Sequence, residues 1–516
     1  MGQDTSSVEN GLRELPITRG PLGPALKGAA LDAAIAALQW SALTIGRAGP
    51  VRRAIVGAYD RSIHARYARE MAAVPNPLMI EQKRDIALAI LHTMDRAMEY
   101  GLLGSATMRG VLNIIAREIL FPHYGQEARQ AFQARHGTIP PGLLAISPIK
   151  ACNLRCKGCF TDSGPANEKL EWDIFSRIVR DARELWGAHF FILAGGEPFL
   201  YKDQGHRMID IAEAHRDCFF LLFTNATLID DGIARRLGQL GNVTPAVSVE
   251  GLRETTDERR GKGIFDRVVE SMGRLRREHV PFGLSITATS KNYQEIMSDE
   301  FIDFFYDQMH AMYGWIFQYM PIGRAISIEM MPTPEQRLWM LNRMWQIVAE
   351  KHHFLADFWS SGILTDGCLA AGGRGGYMYI DWNGAITPCA FVPYSPVNIH
   401  DIYAQGKTLN DVWAEPFFAD MRQWQQDYNP GMGAPQPHPN GNLFMCCPYR
   451  DHHADFMKIL LQHEAEPSDE NAREALLDPE YHAGLEQFDR DLAALSDPMW
   501  ESEYLPPEAP EATGHG

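Results

Sequence analysis

The chain has 516 residues, which is too long for a single typical core and predicts roughly two or three domains. Its apolar fraction of 45% and charged fraction of 22% are those of an ordinary globular protein, and its net charge of -17 excludes a general nucleic-acid binder, because phosphate neutralisation requires a basic surface. The eight cysteines follow no secretory signal, so we expect reduced metal ligands in a cytoplasmic protein rather than disulfides.

The N-terminal region is predicted to be helical. Residues 29–45 carry an apolar stripe at helical spacing, and further amphipathic helices are predicted at residues 86–98 and, after a cap at Ser105, at residues 108–119. An arginine-rich stretch follows the first of these helices, with Asp60 as its single acidic residue. Its arginines are Arg47, Arg52, Arg53, Arg61, Arg66 and Arg69. Two interpretations stay open: a helical layer packed on the next domain, or peripheral contact with an anionic lipid surface.

The central part of the chain alternates short apolar runs with amphipathic helical patterns. The runs cover residues 143–149, 190–193, 219–223, 245–249, 282–288 and 315–320. This alternation predicts a parallel sheet with crossover helices. Ligands bind at the carboxyl ends of parallel strands, so the residues that follow each run are the candidates for a functional site.

The first run leads into a loop that contains Cys152, Cys156 and Cys159. Three thiolates at this spacing can converge on three corners of one iron-sulfur cube, which leaves the fourth iron without a protein ligand. A metal that takes part in catalysis needs an open coordination position. The alternative is a structural zinc knuckle, although zinc usually takes a fourth ligand nearby and the next several residues contain none.

Glycines and polar residues lie at the ends of the next three runs. They are Gly195, Gly196, Glu197 and Pro198 after the second run, Thr224 and Asn225 after the third, and Ser248 and Glu250 at the fourth. The two glycines let the backbone approach a ligand closely, and exposed carbonyl groups together with Glu197 can accept hydrogen bonds from an ammonium group. Each of these residues could equally be a cap or a surface residue.

The three-cysteine loop followed by the Gly-Gly-Glu-Pro turn at 195–198 resembles the Cys-x3-Cys-x2-Cys signature and the methionine-binding turn of the radical S-adenosylmethionine (radical SAM) superfamily. The resemblance implies an α/β fold with a partial (βα)6 TIM-type barrel, and a [4Fe-4S] cluster on Cys152, Cys156 and Cys159 whose open iron chelates SAM. It also implies reductive cleavage of SAM to methionine and a 5′-deoxyadenosyl radical, which abstracts a hydrogen atom from the substrate. A reductase or a flavodoxin- or ferredoxin-type protein would donate the electron.

The same resemblance implies roles for single residues. Ser248 and Glu250 would occupy the ribose-binding stretch, and Arg260 would pair with the SAM carboxylate. Many members place an aromatic residue before the third cysteine, whereas this chain has Gly158 there and Phe160 after the cysteine, where Phe160 is the candidate for packing on adenine.

A second group of cysteines follows the barrel. The Asn-Gly pair at 383–384 lies between alternating runs and predicts a β-hairpin, with Cys389 at its end and Cys368 just upstream. This spacing resembles the opening of the auxiliary-cluster motif in SPASM and twitch domains. Four cysteines hold one cluster, not two, so we expect Cys368, Cys389 and one of Cys446 and Cys447 to bind a single auxiliary iron-sulfur cluster. Packing of the last two cysteines in a core stays open, and Cys218 is predicted to be a core residue.

These patterns divide the chain into an N-terminal helical region (1–141), a radical SAM core (142–355), a small α+β cluster-binding domain (356–450) and an acidic tail of one or two helices followed by disorder (451–516). The predicted function is a radical SAM enzyme that attacks an unactivated C–H bond. Its substrate is interpreted as lipid-like and presented at a membrane surface, because of the apolar and arginine-rich N-terminal region. The alternatives are a peptide-modifying maturase, for which no leader-peptide-binding winged helix is recognised, and a non-catalytic iron-sulfur or zinc protein.

Overall fold

A computed structural model of the protein describes residues 49–115, 126–430 and 441–505, and describes no side chains at 112–115 and 126. The helix predicted at residues 29–45 and the end of the predicted tail lie outside the described residues. Within these ranges, no helix combines the length and the apolar content that a membrane crossing requires.

Four described helices precede the central sheet. They are α1 (Gly49–Met71), α2 (Leu78–Glu99), α3 (Ser105–Ile115) and α4 (Gln126–His136). The helix predicted at residues 86–98 is confirmed as part of α2, and the next predicted helix begins at Ser105 as α3. Its predicted continuation beyond residue 115 lies outside the described residues.

The arginine-rich stretch lies on α1, where its members have different surroundings. Arg52 is 6% exposed and pairs with Asp95 and Glu99 of α2, each at 3.0 Å. Arg53 and Arg61 are exposed. Arg52 therefore holds α1 against α2, as a packed helical layer predicts, while the exposed arginines leave the membrane interpretation open.

Fourteen strands are described, ten of them in one sheet. Their bounds are β1 (Leu143–Ile146), β2 (Phe190–Leu193), β3 (Lys202–Asp203), β4 (His206–Arg207), β5 (Phe219–Thr224), β6 (Val243–Val249), β7 (Gly283–Ala288), β8 (Tyr313–Gln318), β9 (Phe354–Asp357), β10 (Tyr379–Ile380), β11 (Ala385–Thr387), β12 (Tyr394–Ser395), β13 (Val397–Asn398) and β14 (Glu466–Pro467). The strand order of the sheet is β13-β11-β10-β1-β2-β5-β6-β7-β8-β9. From β1 to β9 these neighbours are parallel, which confirms the α/β class and the six predicted runs. The seventh parallel strand, β9, is not among the predicted runs, and it crosses the predicted domain boundary at residue 355.

Helices cross over between these strands. They are α5 (Trp172–Trp186), α6 (Asp210–Ala214), α7 (Asp231–Leu240), α8 (Arg253–Arg260), α9 (Ile264–Arg277), α10 (Asp299–Ile302), which a π-helical segment at Asp303–Gln308 extends, and α11 (Pro334–Lys351). Helix α5 buries Trp172, Phe175, Ile178, Val179, Ala182 and Trp186, which recur at helical spacing. It ends at Gly187, whose φ of 65° lies in the left-handed region that glycine adopts without strain. The apolar stripe of such a helix is what covers the face of the sheet.

The segment that carries the second group of cysteines joins the same sheet. β10 and β11 form the predicted antiparallel hairpin, with Gly384 at a φ of 82° in its turn. β10 also pairs in parallel with β1, with Ala145 opposite Tyr379. This segment therefore extends the barrel sheet through β10, β11 and β13, while its β12 pairs with β14 in a separate two-stranded sheet. Its connection to β1 brings the second group of cysteines beside the first.

The C-terminal helices pack on the rest of the protein. They are α12 (Gly362–Thr365), α13 (Ile399–Ala404), α14 (Leu409–Trp413), α15 (Pro416–Tyr428), α16 (Pro448–Asp451), α17 (His453–Gln462), α18 (Glu470–Leu477) and α19 (Pro479–Glu503). Helix α19 buries Tyr481, Leu485, Phe488, Leu492, Ser496 and Trp500. The described part of the predicted acidic tail is helical, and its helices α17, α18 and α19 bury apolar residues in the core, while the end of the tail lies outside the described residues.

A buried group of charges ties this region to the barrel. Arg337 of α11 donates to both carboxylate oxygens of Asp451, at 2.7 and 3.0 Å, and Arg450 donates to the same carboxylate at 2.9 Å. All three side chains are at most 1% exposed. Burial opposes the charge of Asp451, but the two guanidinium groups lower the pKa of its carboxyl group to about 2. The buried carboxylate of Asp451 and the two buried guanidinium groups therefore stabilise one another in their charged forms.

We expect Asp451→Asn to lower the free energy of unfolding by about 3–5 kcal/mol, because it leaves two buried guanidinium groups without their counterion. Asp266→Asn is the matched control: Asp266 pairs with Arg253, but their side chains are 64% and 55% exposed, so we expect the stability of this variant to stay close to that of wild type. Denaturant unfolding measures both variants. Equal stabilities would show that the buried group does not hold the C-terminal helices.

Candidate active site

One cavity of about 540 Å³ contains both groups of cysteines. The predicted ligands that line it are Cys152, Cys156, Cys159, Cys368, Cys389, Cys446 and Cys447. Gly195, Gly196, Thr224, Asn225, Ser248, Arg260 and Phe160 line the same cavity. Folding therefore brings together both groups of cysteines and most of the predicted strand-end residues.

Two arginines hold the backbone of the three-cysteine loop. Arg259 of α8 donates to the carbonyl oxygen of Gly158 at 3.1 Å. Arg324 donates from its side chain to the carbonyl oxygen of Cys156 and from its backbone to that of Cys159, both at 2.9 Å. These contacts fix the backbone of the loop, and both arginines also pair with carboxylates, Arg259 with Glu250 and Arg324 with Asp162.

Gly158 is required by the shape of this loop. Its φ is 62°, and a Cβ atom there would lie 2.6 Å from the ring of Tyr319. The ring of Tyr319, which directly follows β8, therefore packs against the loop just before the third cysteine. Phe160 packs on Phe391, with ring centroids 5.3 Å apart, so its ring bridges the two cysteine groups.

The Gly-Gly-Glu-Pro turn is joined to the backbone directly before the loop. Gly196 donates to the carbonyl oxygen of Ile149, and Glu197 donates to that of Ala151, both at 2.8 Å. A methyl group on Gly196 would overlap the carbonyl oxygens of Lys150 and Ala151. Glycine is therefore required for close packing between the turn and the segment that leads to Cys152.

We expect Gly196→Ala to lower activity on the order of a hundredfold, because the displaced turn would shift bound groups by about an ångström. Gly273→Ala is the control, since a methyl group at this position of α9 meets only the end of the Arg277 side chain, at 3.8 Å. SAM affinity and SAM cleavage are measured in both reconstituted variants. Wild-type affinity in Gly196→Ala would contradict the assignment of the turn.

The structure corrects the predicted role of Glu197. Its carboxylate is fully buried and accepts hydrogen bonds from the hydroxyl of Thr224 at 2.8 Å, from the backbone of Asn225 at 2.8 Å and from the backbone of Phe199 at 3.1 Å. Burial raises the pKa of this group to about 7, although the three donors favour its ionised form. Glu197 joins the tips of β2 and β5 and offers no exposed acceptor. The Asn225 amide in turn lies 3.7 Å from the sulfur of Cys152.

Glu250 and Arg260 lie together beyond the end of β6. Glu250 is fully buried, and one of its oxygens accepts from Arg259 at 2.6 Å and from Arg260 at 2.5 Å. Helix α8 begins shortly after β6 and carries both arginines back over the strand end. Arg260 lines the cavity whereas Glu250 does not, and the roles predicted for both residues stay predictions. The two guanidinium groups share one carboxylate, so a net positive charge remains at this wall.

The second group of cysteines is buried more deeply than the first. Burial raises the pKa of the Cys389 and Cys446 thiols to about 12, so a metal must displace their protons. A Cβ atom at Gly362 would lie 2.9 Å from the sulfur of Cys446, so the glycine leaves room at that thiol. The hydroxyl of Tyr377 lies 2.9 Å from the sulfur of Cys389, and burial keeps the phenol protonated by raising its pKa. Tyr377 can therefore donate to a thiolate.

The spacing of the thiols bears on the zinc alternative. Ligands bound at about 2.3 Å to one tetrahedral zinc ion lie about 4 Å from one another. In the described part of the chain, the group with three ligand atoms within 4.8 Å of one another is His189, Asp217 and Cys218. Among the described residues, neither predicted cysteine group meets this spacing, and the zinc alternative is not decided by it. Cys218 is buried in the core, as predicted.

Four residues of the site are missing from the sequence prediction: Arg259, Tyr319, Arg324 and Tyr377. Tyr319 directly follows β8 within the run at 315–320, and Arg324 follows that run, so the rule that site residues follow parallel strands could have identified both. Arg259 adjoins the predicted Arg260 on α8. Tyr377 precedes a hairpin strand and is recognisable only from its contact with Cys389.

Two parts of the chain match protein-family models. Residues 146–299 match the radical SAM superfamily, and residues 368–432 match the SPASM iron-sulfur cluster-binding domain. The first match spans the three-cysteine loop and the strand ends, and the second begins at Cys368.

Relatives support these matches. The chain is 27% identical over 306 residues to the AdoMet-dependent heme synthase of Methanosarcina barkeri, an alignment that covers 54% of this chain and 83% of the relative. It is 27% identical over 312 residues to the mycofactocin maturase MftC of Mycolicibacterium smegmatis, which covers 57% of this chain and 75% of the relative. The crystal structure of Streptococcus suis SuiB bound to precursor peptide SuiA superposes with a TM-score of 0.46 and 21% identity, over 58% of this chain and 71% of that one.

Proposed function

Because the chain is a radical SAM enzyme with a C-terminal SPASM domain, we propose that it abstracts a hydrogen atom from an unactivated C–H bond of a substrate held in the cavity between its two groups of cysteines. The radical SAM domain takes a [4Fe-4S] cluster and SAM, and the SPASM domain takes auxiliary iron-sulfur clusters. The observation that carries the proposal is that both groups of cysteines line one cavity.

The proposed ligands of the first cluster are Cys152, Cys156 and Cys159. When bound, this cluster and SAM supply a one-electron reductive cleavage that yields a hydrogen-abstracting radical. Arg259 and Arg324 hold the loop carbonyls, and Glu197 holds the strand tips around it. We assign these three side chains to positioning, because their polar atoms are engaged by the protein. The electron donor is proposed to be a reductase or a flavodoxin- or ferredoxin-type protein.

The proposed ligands of one auxiliary cluster are Cys368, Cys389 and one of Cys446 and Cys447. Four thiols suffice for one cluster, and a second cluster would need more. Tyr377 would donate a hydrogen bond to the Cys389 thiolate, a contact of the kind that tunes the potential of a cluster.

Aromatic side chains line the space between the two groups. Phe391 is central: its ring centroid lies 5.7 Å from that of Phe317, 5.8 Å from that of Phe358 and 4.7 Å from that of Trp359. Such walls exclude water, which protects a reactive radical from side reactions. The substrate must present an apolar surface to this part of the cavity.

Among substrate classes, a peptide is the first candidate. The relatives favour it over a lipid, because MftC is named a maturase and the superposed SuiB is described with a precursor peptide. The second candidate is an apolar small molecule taken from a membrane surface. Helix α1 supports it by exposing Val51, Ile55 and Tyr59, at 45%, 42% and 62%, on one helical stripe near its exposed arginines.

The test is SAM cleavage by anaerobically reconstituted protein in the presence of a reductant and fractions of source-cell extract. A peptide fraction that accelerates 5′-deoxyadenosine formation and itself changes mass supports the first candidate. The same result with an organic-solvent fraction supports the second. If no 5′-deoxyadenosine forms under any condition, the proposed chemistry is wrong.

A further inference from the structure

The cavity continues past the strand ends into the lumen of the barrel. Leu143, Phe190 and Phe354 line it, and each is the first residue of its strand, at the end of the sheet opposite the cysteine loop. Strands of four residues rise about 13 Å, so the cavity reaches well beyond the place where the cysteines would hold a cluster. Ala145 and Ala356 also line it, and their small side chains leave the lumen open.

This inner half of the cavity is apolar. In the described chain, the charged side chains that line the cavity are Arg259 and Arg260, at the end of α8, and Asp357, at the carboxyl end of β9. The far end is lined mainly by aliphatic and aromatic side chains, including Trp315, and Ser285, the residue paired with Trp315, adds a hydroxyl group. Protein interiors are otherwise close-packed, so an apolar space of this length is typical of a binding site.

Helix α2 borders the far end of the lumen. Its Ile86 and Ile90 line the cavity, and Ile90 is 47% exposed. Lys83 pairs with Asp366 at 3.1 Å, and Arg96 donates to the carbonyl oxygen of His352 at 2.7 Å, so the helix is fixed on both sides of these isoleucines. β9, which α2 flanks, is the last strand of the sheet and pairs with β8 in the described residues. The opening at Ile90 thus lies beside an open edge of the barrel.

We propose that the barrel lumen is a binding site for an extended apolar chain, and that the substrate is an amphiphile whose chain lies between the Ile90 opening and the cysteine loop. This inference rests on the proposed function and selects its second substrate candidate. An unmodified peptide would place many backbone amide groups in the lumen, where the inner half is lined mainly by aliphatic and aromatic side chains and offers few hydrogen-bond partners. Each methylene that enters such a space gains affinity by the removal of apolar surface from water.

The test is calorimetric titration of the reconstituted, SAM-bound protein with straight-chain fatty acids of increasing length. We expect the affinity to rise about fourfold per methylene and then to level off when the chain fills the lumen. In Ala356→Leu, the affinity should level off at a shorter fatty acid, because the leucine side chain narrows the lumen. Ile90→Asp should weaken binding about tenfold, because it places a carboxylate at the opening.

Leu477→Asp is the matched control, since Leu477 is 77% exposed and does not line the cavity; it should bind the acids as wild type does. Affinity that does not depend on chain length, equal binding by Ile90→Asp and wild type, or displacement of the acid by an unmodified peptide would overturn the proposal. SAM cleavage in the same preparations separates the two claims. Cleavage without chain-dependent binding would remove this inference alone, and chain-dependent binding without cleavage would remove the proposed function.

Discussion

Cys156→Ala is expected to abolish 5′-deoxyadenosine formation by the reconstituted protein. Cys156 is the middle residue of the three-cysteine loop, and two thiols cannot hold a cubane cluster that also keeps one iron open for SAM. The remaining loop should keep its fold, because Arg259 and Arg324 contact backbone carbonyl groups and not the thiol. The measurements are product formation by chromatography and iron per chain.

Cys218→Ala is the matched control for this experiment. Its thiol is buried in the core and does not line the cavity, whereas Cys156 is partly exposed to the cavity. We expect wild-type iron content and SAM cleavage in this variant. Should Cys156→Ala form 5′-deoxyadenosine as fast as wild type, the three-cysteine loop is not the site of SAM cleavage.

Iron analysis of two further variants should separate the auxiliary cluster from the first one. A variant in which Cys152, Cys156 and Cys159 are all alanine is expected to retain about four irons per chain, the content of one cubane cluster. Cys389→Ala in the wild-type background should lose about the same amount, because the thiol is one of four that line this end of the cavity. If the triple variant holds no iron, the second group of cysteines binds no cluster and only packs in the core.

The Tyr377→Phe variant tests whether the tyrosine hydroxyl tunes the reduction potential of the auxiliary cluster. The variant removes the hydroxyl that lies 2.9 Å from the sulfur of Cys389 and leaves the ring. We expect unchanged iron content and a more negative reduction potential of the auxiliary cluster, because a hydrogen bond to a thiolate stabilises the reduced form. An unchanged potential would show that Tyr377 only packs there.

Local sequence patterns were sufficient to predict the cysteine loop and six of the parallel strands. Three cysteines in one short loop are close together in any compact fold, so their spacing alone predicts a shared metal. The apolar runs are confirmed as β1, β2, β5, β6, β7 and β8, because a buried parallel strand reads as a continuous apolar run. β9 escapes the same reasoning, since its apolar run has only the three residues Phe354 to Ala356 before the buried Asp357.

Only the tertiary structure decides which polar groups are available to a ligand. Glu197, Glu250 and Arg260 have the residue types that SAM would require, yet Glu197 and Glu250 are fully buried and all three are paired within the protein. Their partners lie on other strands and helices, and no local pattern specifies a contact across elements.

The sequence by itself determined the chemistry of this protein: the three-cysteine loop, the turn at 195–198 and the alternation of strands and helices indicate a radical SAM enzyme. The tertiary structure decided how the parts combine. It places β10 beside β1, brings Cys446 and Cys447 to the same cavity as Cys368, and opens a lumen toward Ile90. The physical reason is that spacing along the chain restricts nearby residues, whereas contacts between distant segments depend on how all the apolar faces pack together.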